Sequence, residues 1–161
     1  MLSLVSGIVK KTAEQLYLLG NIFRRVSDSA QTFTRLYNYG EVADFIGSRF
    51  EGLSYERLDL YMTNSENVLI CTKSVTCADG SKVDIDDNLL SCILTEVQPV
   101  SLIVAHNHPS GDCTPSKEDD AALERIGKVC RMHGVFLRES VIYTKKGTYS
   151  YYLQNRIEKF R

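Results

Sequence analysis

The 161-residue chain lacks the features that mark several large classes of proteins. Its five cysteines are odd in number and form no C-x-x-C pair, so the sequence indicates neither a disulfide framework nor a thiolate zinc site. Nineteen Lys and Arg residues face twenty Asp and Glu residues, and the net charge of -1 gives no sign of the basic surface that sequence-independent nucleic-acid binding requires. We therefore expect a protein of the reducing cytoplasm, and its charge indicates no nucleic-acid partner.

The sequence also lacks a hydrophobic run long enough to cross a membrane. Residues 2–9 are apolar, but this run is short, has no basic segment before it and leads directly into Lys10, Lys11 and Glu14. It therefore fits neither a signal peptide nor a membrane span. Internal repeats and low-complexity tracts are missing as well, and a chain of this length is expected to fold around one hydrophobic core.

An N-terminal arm is expected over residues 1–30. Apolar residues recur there at helical spacing, which predicts an amphipathic helix that packs on its own domain or contacts a partner or a second copy. The apolar positions are Leu2, Val5, Ile8, Val9, Leu16, Leu19 and Phe23. A small polar stretch, residues 27–31, then predicts a linker, so residues 31–161 are expected to form the main domain.

Periodicity along the rest of the chain alternates between the strand and helix patterns. It predicts helices around residues 42–50, 85–97 and 117–133, and strands over residues 55–62, 68–71, 100–105, 135–137, 140–144 and 148–153. Strands and helices mixed in this order predict an α/β or α+β sandwich, in which helices cover a central sheet. The run 100–105 is uninterrupted and mostly apolar, so we expect a buried strand that ends where the histidines begin.

Three residues near the end of that strand carry the strongest chemical signal. His106 and His108 are separated by one residue, and Asp119 follows at the start of the next predicted helix. Two imidazoles and one carboxylate suit zinc, and three protein ligands leave the fourth tetrahedral position for water, as a catalytic zinc requires. A structural site would need a fourth ligand, which the spacing of the cysteines does not supply. The residues therefore predict one zinc ion per chain.

Each of these residues also has a simpler interpretation. Ser116 and Asp119 form the pattern of a helix capping box, so Asp119 could act only as a cap. Either histidine alone would more often be an ordinary hydrogen-bonded loop residue. Cys113, in the same segment, is either a redox-sensitive neighbour or alternative metal contact, or an ordinary loop residue. The occurrence of both histidines and the Ser-x-x-Asp pattern within fourteen residues favours the metal site.

This segment resembles a known metal-binding signature. The pattern H-x-H-P, followed after six residues by S-x-x-D, is similar to that of the JAB/MPN (JAMM) metalloprotease family. The fuller string HNHPSGDCTPS, residues 106–116, resembles the RadC-like branch of that family, and the resemblance extends over about residues 54–152. It implies an MPN/JAB-like, cytidine-deaminase-like fold with a central mixed sheet flanked by helices. RadC-like chains commonly carry an Asp-His pair where this chain has Glu139-Ser140, and the helix-hairpin-helix module usual in RadC proteins is not found in the first thirty residues.

The resemblance also implies a role for each matching residue. His106, His108 and Asp119 correspond to the zinc ligands, and Ser116 corresponds to the residue that stabilises the oxyanion. The family uses a glutamate from an early strand as the general base, and this position falls on Glu56. The nearest rival is Glu51.

The resemblance implies a zinc-dependent peptidase or isopeptidase that acts on a protein or peptide substrate, with a ubiquitin-like tail joined to an amine as the favoured class. The alternative is a RadC-like accessory or binding module in DNA repair or defence, with little hydrolysis of its own. A complete set of five candidate residues favours the enzyme, because an inactive scaffold has no chemical need for all of them: Glu56, His106, His108, Ser116 and Asp119.

Overall fold

The structure, a computed structural model, describes residues 34–76 and 83–161. The helices of this part are α1 (Tyr39–Phe50), α2 (Asp87–Val97) and α3 (Lys117–Met132), with a short 3-10 helix at Ile157–Lys159. The strands are β1 (Arg57–Thr63), β2 (Leu69–Thr76), β3 (Ser101–Asn107), β4 (Phe136–Thr144) and β5 (Gly147–Ser150). The N-terminal helix predicted over residues 1–30 lies outside the described residues, so the division between residues 30 and 31 stays a prediction.

Each of the three α-helices begins at a polar side chain that accepts hydrogen bonds from the first backbone N–H groups. Asn38 caps α1, Asp86 caps α2 and Ser116 caps α3. These contacts satisfy donors that have no partner within the helix, and each cap typically contributes about 1 kcal/mol. The start of α3 is therefore fixed by local sequence, three residues before Asp119. None of the described helices is long and apolar enough to cross a membrane.

The five strands form one mixed sheet in the order β2-β1-β3-β4-β5. Strand β1 is antiparallel to both β2 and β3, β3 is parallel to β4, and β4 is antiparallel to β5. Helix α3 connects the parallel strands β3 and β4, as such a pair requires a crossover. The carboxyl end of β3 and the start of α3 consequently lie at the same edge of the sheet.

Helices cover both faces of this sheet, because side chains alternate between the faces along each strand. Leu102 and Val104 of β3 pack into the larger core, together with residues of α2 and α3. Ile103 and Ala105 pack into the second core, under α1. The predicted central mixed sheet flanked by helices is confirmed.

Several predicted strand boundaries were wrong. Strand β2 extends to Thr76 and does not end near residue 71, because its ladder with β1 continues to Arg57. Strand β3 continues through Asn107, because its ladder with β4 extends to Tyr143. The two strands predicted over residues 135–137 and 140–144 are one strand, β4. A register shift within it leaves Arg138 without a partner residue on β3, so the strand continues through the polar residues that suggested a break. Strand β5 ends at Ser150, because the chain turns at the next residue, Tyr151, to bury its ring.

Candidate metal centre

Strand alternation places both histidines on the same side of the sheet. His106 lies within β3, and His108, two residues later, continues the pairing with β4 through its backbone N–H, which donates to the Tyr143 carbonyl at 2.9 Å. Residues two apart on a strand project from one face. The sequence argument placed His106 in a loop, which is wrong, and the period of the strand itself brings the two imidazoles together.

The side chains of His106, His108 and Asp119 converge on one point. The two Nε2 atoms are 3.1 Å apart, that of His106 lies 3.5 Å from Asp119 Oδ1, and that of His108 lies 3.5 Å from Asp119 Oδ2. Ligand atoms at about 2.1 Å from a tetrahedral ion are separated by about 3.4 Å from each other. The two imidazole nitrogens and the carboxylate are therefore spaced closely enough to bind one ion, and one ligand atom from each residue lies within 4.8 Å of the others. Among the described residues, this is also the only group of three or more His, Cys, Asp or Glu side chains compatible with a metal ion, and it contains no cysteine.

The hydrogen bond at the far side of the His108 ring orients it as a metal ligand. Its Nδ1 lies 2.7 Å from the backbone carbonyl oxygen of Asp112. A carbonyl oxygen only accepts, so we assign the proton to Nδ1, and in the neutral ring Nε2 then presents its lone pair to the cluster. This second contact fixes both the tautomer and the ring plane.

Asp119 acts as a helix cap and as a member of the cluster at the same time. Its Oδ2 accepts the backbone N–H of Ser116 at 2.7 Å, and the Ser116 hydroxyl accepts the backbone N–H of Asp119 at 3.1 Å. Burial opposes ionisation, but hydrogen bonds from His106, His108 and Ser116 hold the pKa of Asp119 well below its usual range. The hydrogen bond to Asp119 in turn raises the pKa of His108. The two interpretations of Ser-x-x-Asp are thus compatible, and the cap determines where the carboxylate points.

Glu56 reaches the same site from β1. Leu58 pairs with His106, and extension of this register by two residues brings Glu56 opposite His108 on the same face. Glu56 lines a pocket with His106 and Asp119 that has a volume of about 30 Å³. This small pocket has room for about two water molecules. Glu51, the rival glutamate, is exposed just after α1 and does not line the pocket.

Asn107 is a site residue that sequence reasoning missed. Its side chain is buried and points away from the two histidines, because it is the intervening residue of the strand. The amide oxygen accepts the Arg57 backbone N–H at 2.8 Å, and the amide nitrogen donates to the Tyr55 carbonyl at 2.8 Å. The side chain therefore holds the backbone on both sides of Glu56. The sequence feature that could have identified Asn107 is its position between the two histidines.

Two further residues complete the wall of the small pocket. Ser140 of β4 is buried there, at a position where RadC-like chains commonly carry histidine. Tyr151 lies beside it, and its hydroxyl donates to Asp120 at 2.8 Å. Burial and this hydrogen bond to a carboxylate raise the pKa of Tyr151 above its ordinary value. Asp120 also forms a salt bridge with Arg156 at 2.5 Å. These contacts hold the start of α3 in place next to Asp119.

Several known proteins are similar to this chain in sequence. The sequence profile of the RadC-like JAB domain matches residues 36–157. A UPF0758 protein of Clostridium botulinum (strain Alaska E43 / Type E3) is 29% identical over 145 residues, which cover 89% of this chain and 63% of the relative. A UPF0758 protein of Staphylococcus carnosus (strain TM300) is 30% identical over 102 residues, with coverage of 63% and 45%. One of Streptococcus sanguinis (strain SK36) is 25% identical over 152 residues, with coverage of 93% and 66%.

The chain spans less than two thirds of the length of these relatives. The JAB domain family includes metallohydrolases, and the group formed by His106, His108 and Asp119 fits a metal site of the JAB type. The profile match covers more than half of the chain and includes all three of these residues. The chain belongs to the RadC-like JAB domain family.

Proposed function

We propose that this chain is a zinc-dependent peptidase or isopeptidase that hydrolyses a peptide or isopeptide bond. The observation that carries the proposal is the convergence of two imidazole nitrogens and a carboxylate, at a spacing that allows them to bind one metal ion, beside a small pocket that is also lined by a glutamate. Two imidazole nitrogens and one carboxylate oxygen form the protein ligand set of many catalytic zinc sites. A zinc ion held there supplies Lewis acidity, which makes a water molecule acidic enough to attack at neutral pH.

Glu56 is the general base of the proposed reaction. Its carboxylate takes a proton from the attacking water as the oxygen bonds to the substrate carbonyl carbon, and it then delivers that proton to the leaving nitrogen when the C–N bond breaks. One water is consumed, and a carboxylate and an amine are released. The support for this role is that Glu56 lines the pocket of about 30 Å³ with His106 and Asp119, where only water-sized groups fit.

Two further side chains support the reaction. Ser116 donates its hydroxyl proton to the oxyanion that develops on the carbonyl, while its oxygen caps α3. Asn107 is a positioning residue, because its two hydrogen bonds fix the backbone next to Glu56 and it is itself held between two ligands on β3. Strand β3 thus couples the position of the base to the position of the metal ligands.

The proposed substrate is a protein or peptide, with a ubiquitin-like tail joined to an amine as the favoured class. The support for this class is the similarity to the JAMM signature at four positions, which are His106, His108, Ser116 and Asp119. The alternative is an accessory or binding module in DNA repair or defence that keeps the metal but hydrolyses little. The two functions differ in whether Glu56 acts as a base.

The decisive experiment combines metal analysis with a cleavage panel of peptides and ubiquitin-like fusions. We expect about one zinc per chain in the wild type, in Glu56→Gln and in Glu51→Gln, and its loss in His108→Ala. Cleavage is expected to disappear in Glu56→Gln and His108→Ala. It should persist in Glu51→Gln, the matched control at an exposed glutamate. A wild type without zinc would refute the metal centre, and zinc binding without any cleavage would favour the accessory module.

A further inference from the structure

A second cavity adjoins the metal centre on the opposite side of His108. It has a volume of about 160 Å³ and is lined by Phe50, His108, Gly111, Tyr143, Lys145 and Lys146, among others. We name it the lysine pocket. The pocket that holds Glu56 has a volume of only about 30 Å³, which suits water and not a side chain. A cavity of about 150 Å³ can hold a benzene-sized group, so the lysine pocket is the larger space next to the proposed reaction centre.

The lysine pocket combines an apolar wall with positive charge. The rings of Phe50 and Tyr143 stack with centroids 6.0 Å apart. Lys145 and Lys146 are exposed, and neither forms a salt bridge with any residue that the structure describes. Asp112 is an acidic residue close enough to Lys146 to feel its charge. The pKa of Asp112 is lowered mainly by hydrogen bonds from Thr114 and, to a smaller extent, by the charges of His108 and Lys146. None of the described residues that line the lysine pocket is acidic.

The turn that carries the two lysines is held in place. The Thr144 hydroxyl donates to the Gly147 carbonyl at 2.8 Å and accepts the backbone N–H of Lys146 at 3.2 Å. The Lys146 side chain lies over Gly111, where an added Cβ would meet its carbons at 3.7 Å. Gly111 also has a φ of 85°, which a residue with a side chain rarely adopts. The Lys146 ammonium group is thus placed beside the histidine loop before any ligand binds, which lowers the entropy cost of binding.

We propose that the lysine pocket binds a carboxylate of the peptide substrate, either an acidic side chain next to the scissile bond or a chain-terminal carboxylate. This inference rests on the proposed function, since it assigns a substrate group to the same reaction centre. A carboxylate carries a negative charge that can pair with Lys145 and Lys146, which form no salt bridge with the described residues. The methylene groups of an acidic side chain can pack against the aromatic wall. A nucleic-acid strand would need a longer basic stripe, which a pocket with two lysines in a chain with net charge -1 does not offer.

The cleavage test compares matched substrates that differ in one carboxylate. Peptides with Glu or Gln at each position near the scissile bond test the side chain, and peptides ending in a carboxylate or a carboxamide test the terminus. We expect the wild type to favour one carboxylate by about 10-fold in kcat/KM, which corresponds to about 1.4 kcal/mol. This ratio should fall to about 1 in Lys145→Met/Lys146→Met, as expected when a charge contact is removed. It should persist in Lys128→Met/Lys159→Met, which removes the same charge elsewhere on the surface.

A binding test separates this inference from the proposed function. The probes are N-acetylglutamate N-methylamide against its glutamine analogue, and N-acetylglycine against N-acetylglycinamide, followed by NMR at the Gly111 and Gly147 amides. Saturable shifts with one acid alone, abolished in Lys145→Met/Lys146→Met, would support the subsite even if no peptide is cleaved. Equal shifts with acid and amide, or a kcat/KM ratio near 1 in the wild type, would overturn it. Loss of oligonucleotide binding in the lysine variant, without a carboxylate preference, would overturn it in favour of a nucleic-acid contact.

Discussion

Replacement of Asn107 by alanine tests whether the backbone around Glu56 is positioned by β3. The change removes two hydrogen bonds of 2.8 Å, to the Arg57 N–H and the Tyr55 carbonyl. Each typically contributes about 0.5–1.5 kcal/mol, so we expect a loss of about 1–3 kcal/mol in the free energy of unfolding. Because a displacement of about 1 Å near a reacting group can cost about 100-fold in rate, we also expect kcat to fall by about 10- to 100-fold.

The assay for Asn107→Ala needs measurements that distinguish a positioning role from a general loss of stability. We expect zinc content to stay near the wild-type value while kcat falls, because the substitution leaves the three candidate metal ligands in place. Hydrogen exchange at the Arg57 amide should accelerate, since that N–H loses its acceptor. The exchange measurement requires no substrate.

Thr63→Val provides the matched control. The Thr63 and Ser101 hydroxyls lie 2.6 Å apart and connect the same two strands, β1 and β3, at their other ends. The substitution keeps the shape of the side chain and costs about 1 kcal/mol. It should therefore lower stability and leave kcat unchanged. If Asn107→Ala kept the wild-type kcat, or if both variants lost activity in proportion to stability, the positioning role would be wrong.

Two stability predictions concern residues away from the metal centre. A Cβ at Gly127 would lie 1.8 Å from the Phe160 carbonyl oxygen, so Gly127→Ala should lower the free energy of unfolding by about 1–3 kcal/mol. At Gly47 the nearest contact of an added Cβ would be 3.7 Å, so Gly47→Ala should raise the free energy of unfolding by up to about 1 kcal/mol. Denaturant titrations measure both changes. Similar effects of the two changes would contradict the close approach. Burial raises the pKa of Glu139, although hydrogen bonds from Ser150 and two backbone N–H groups oppose this. Because the pKa of the Glu139 carboxyl is higher in the folded state than in the unfolded chain, this group stabilises the fold at pH values below its unfolded-state pKa. This contribution is lost as pH rises through its folded-state pKa. Melting temperatures measured from about pH 4 to about pH 7 should therefore show the wild type losing stability relative to Glu139→Gln, and parallel curves would refute the shift.

The parts that could be predicted from sequence are those set by local patterns. The capping box of Ser116 and Asp119 is local, and so are the alternation of β3 and the short spacing of the two histidines, so the candidate metal ligands could be named without the fold. Glu56 lies fifty residues earlier in the chain, and only the pairing of β1 with β3 brings it to the site. The lysine pocket was missed for the same reason. No sequence pattern marks Lys145 and Lys146 as site residues, because the proximity of Lys146 to Gly111 depends on the parallel pairing of β3 with β4.

Ser116 illustrates how one side chain can carry a structural and a catalytic role that substitutions separate. Its oxygen accepts the Asp119 N–H, and loss of this cap in Ser116→Ala should cost about 1 kcal/mol of stability. Ser116→Thr keeps both the cap and the hydroxyl donor, whereas Ser116→Asp keeps a good cap acceptor and has no proton to donate at neutral pH. If Ser116 stabilises the oxyanion, Ser116→Asp should restore the melting temperature but leave kcat lower by about 100-fold, and Ser116→Thr should retain most activity. If kcat instead follows the melting temperature across the three variants, Ser116 contributes only as the cap that orients Asp119.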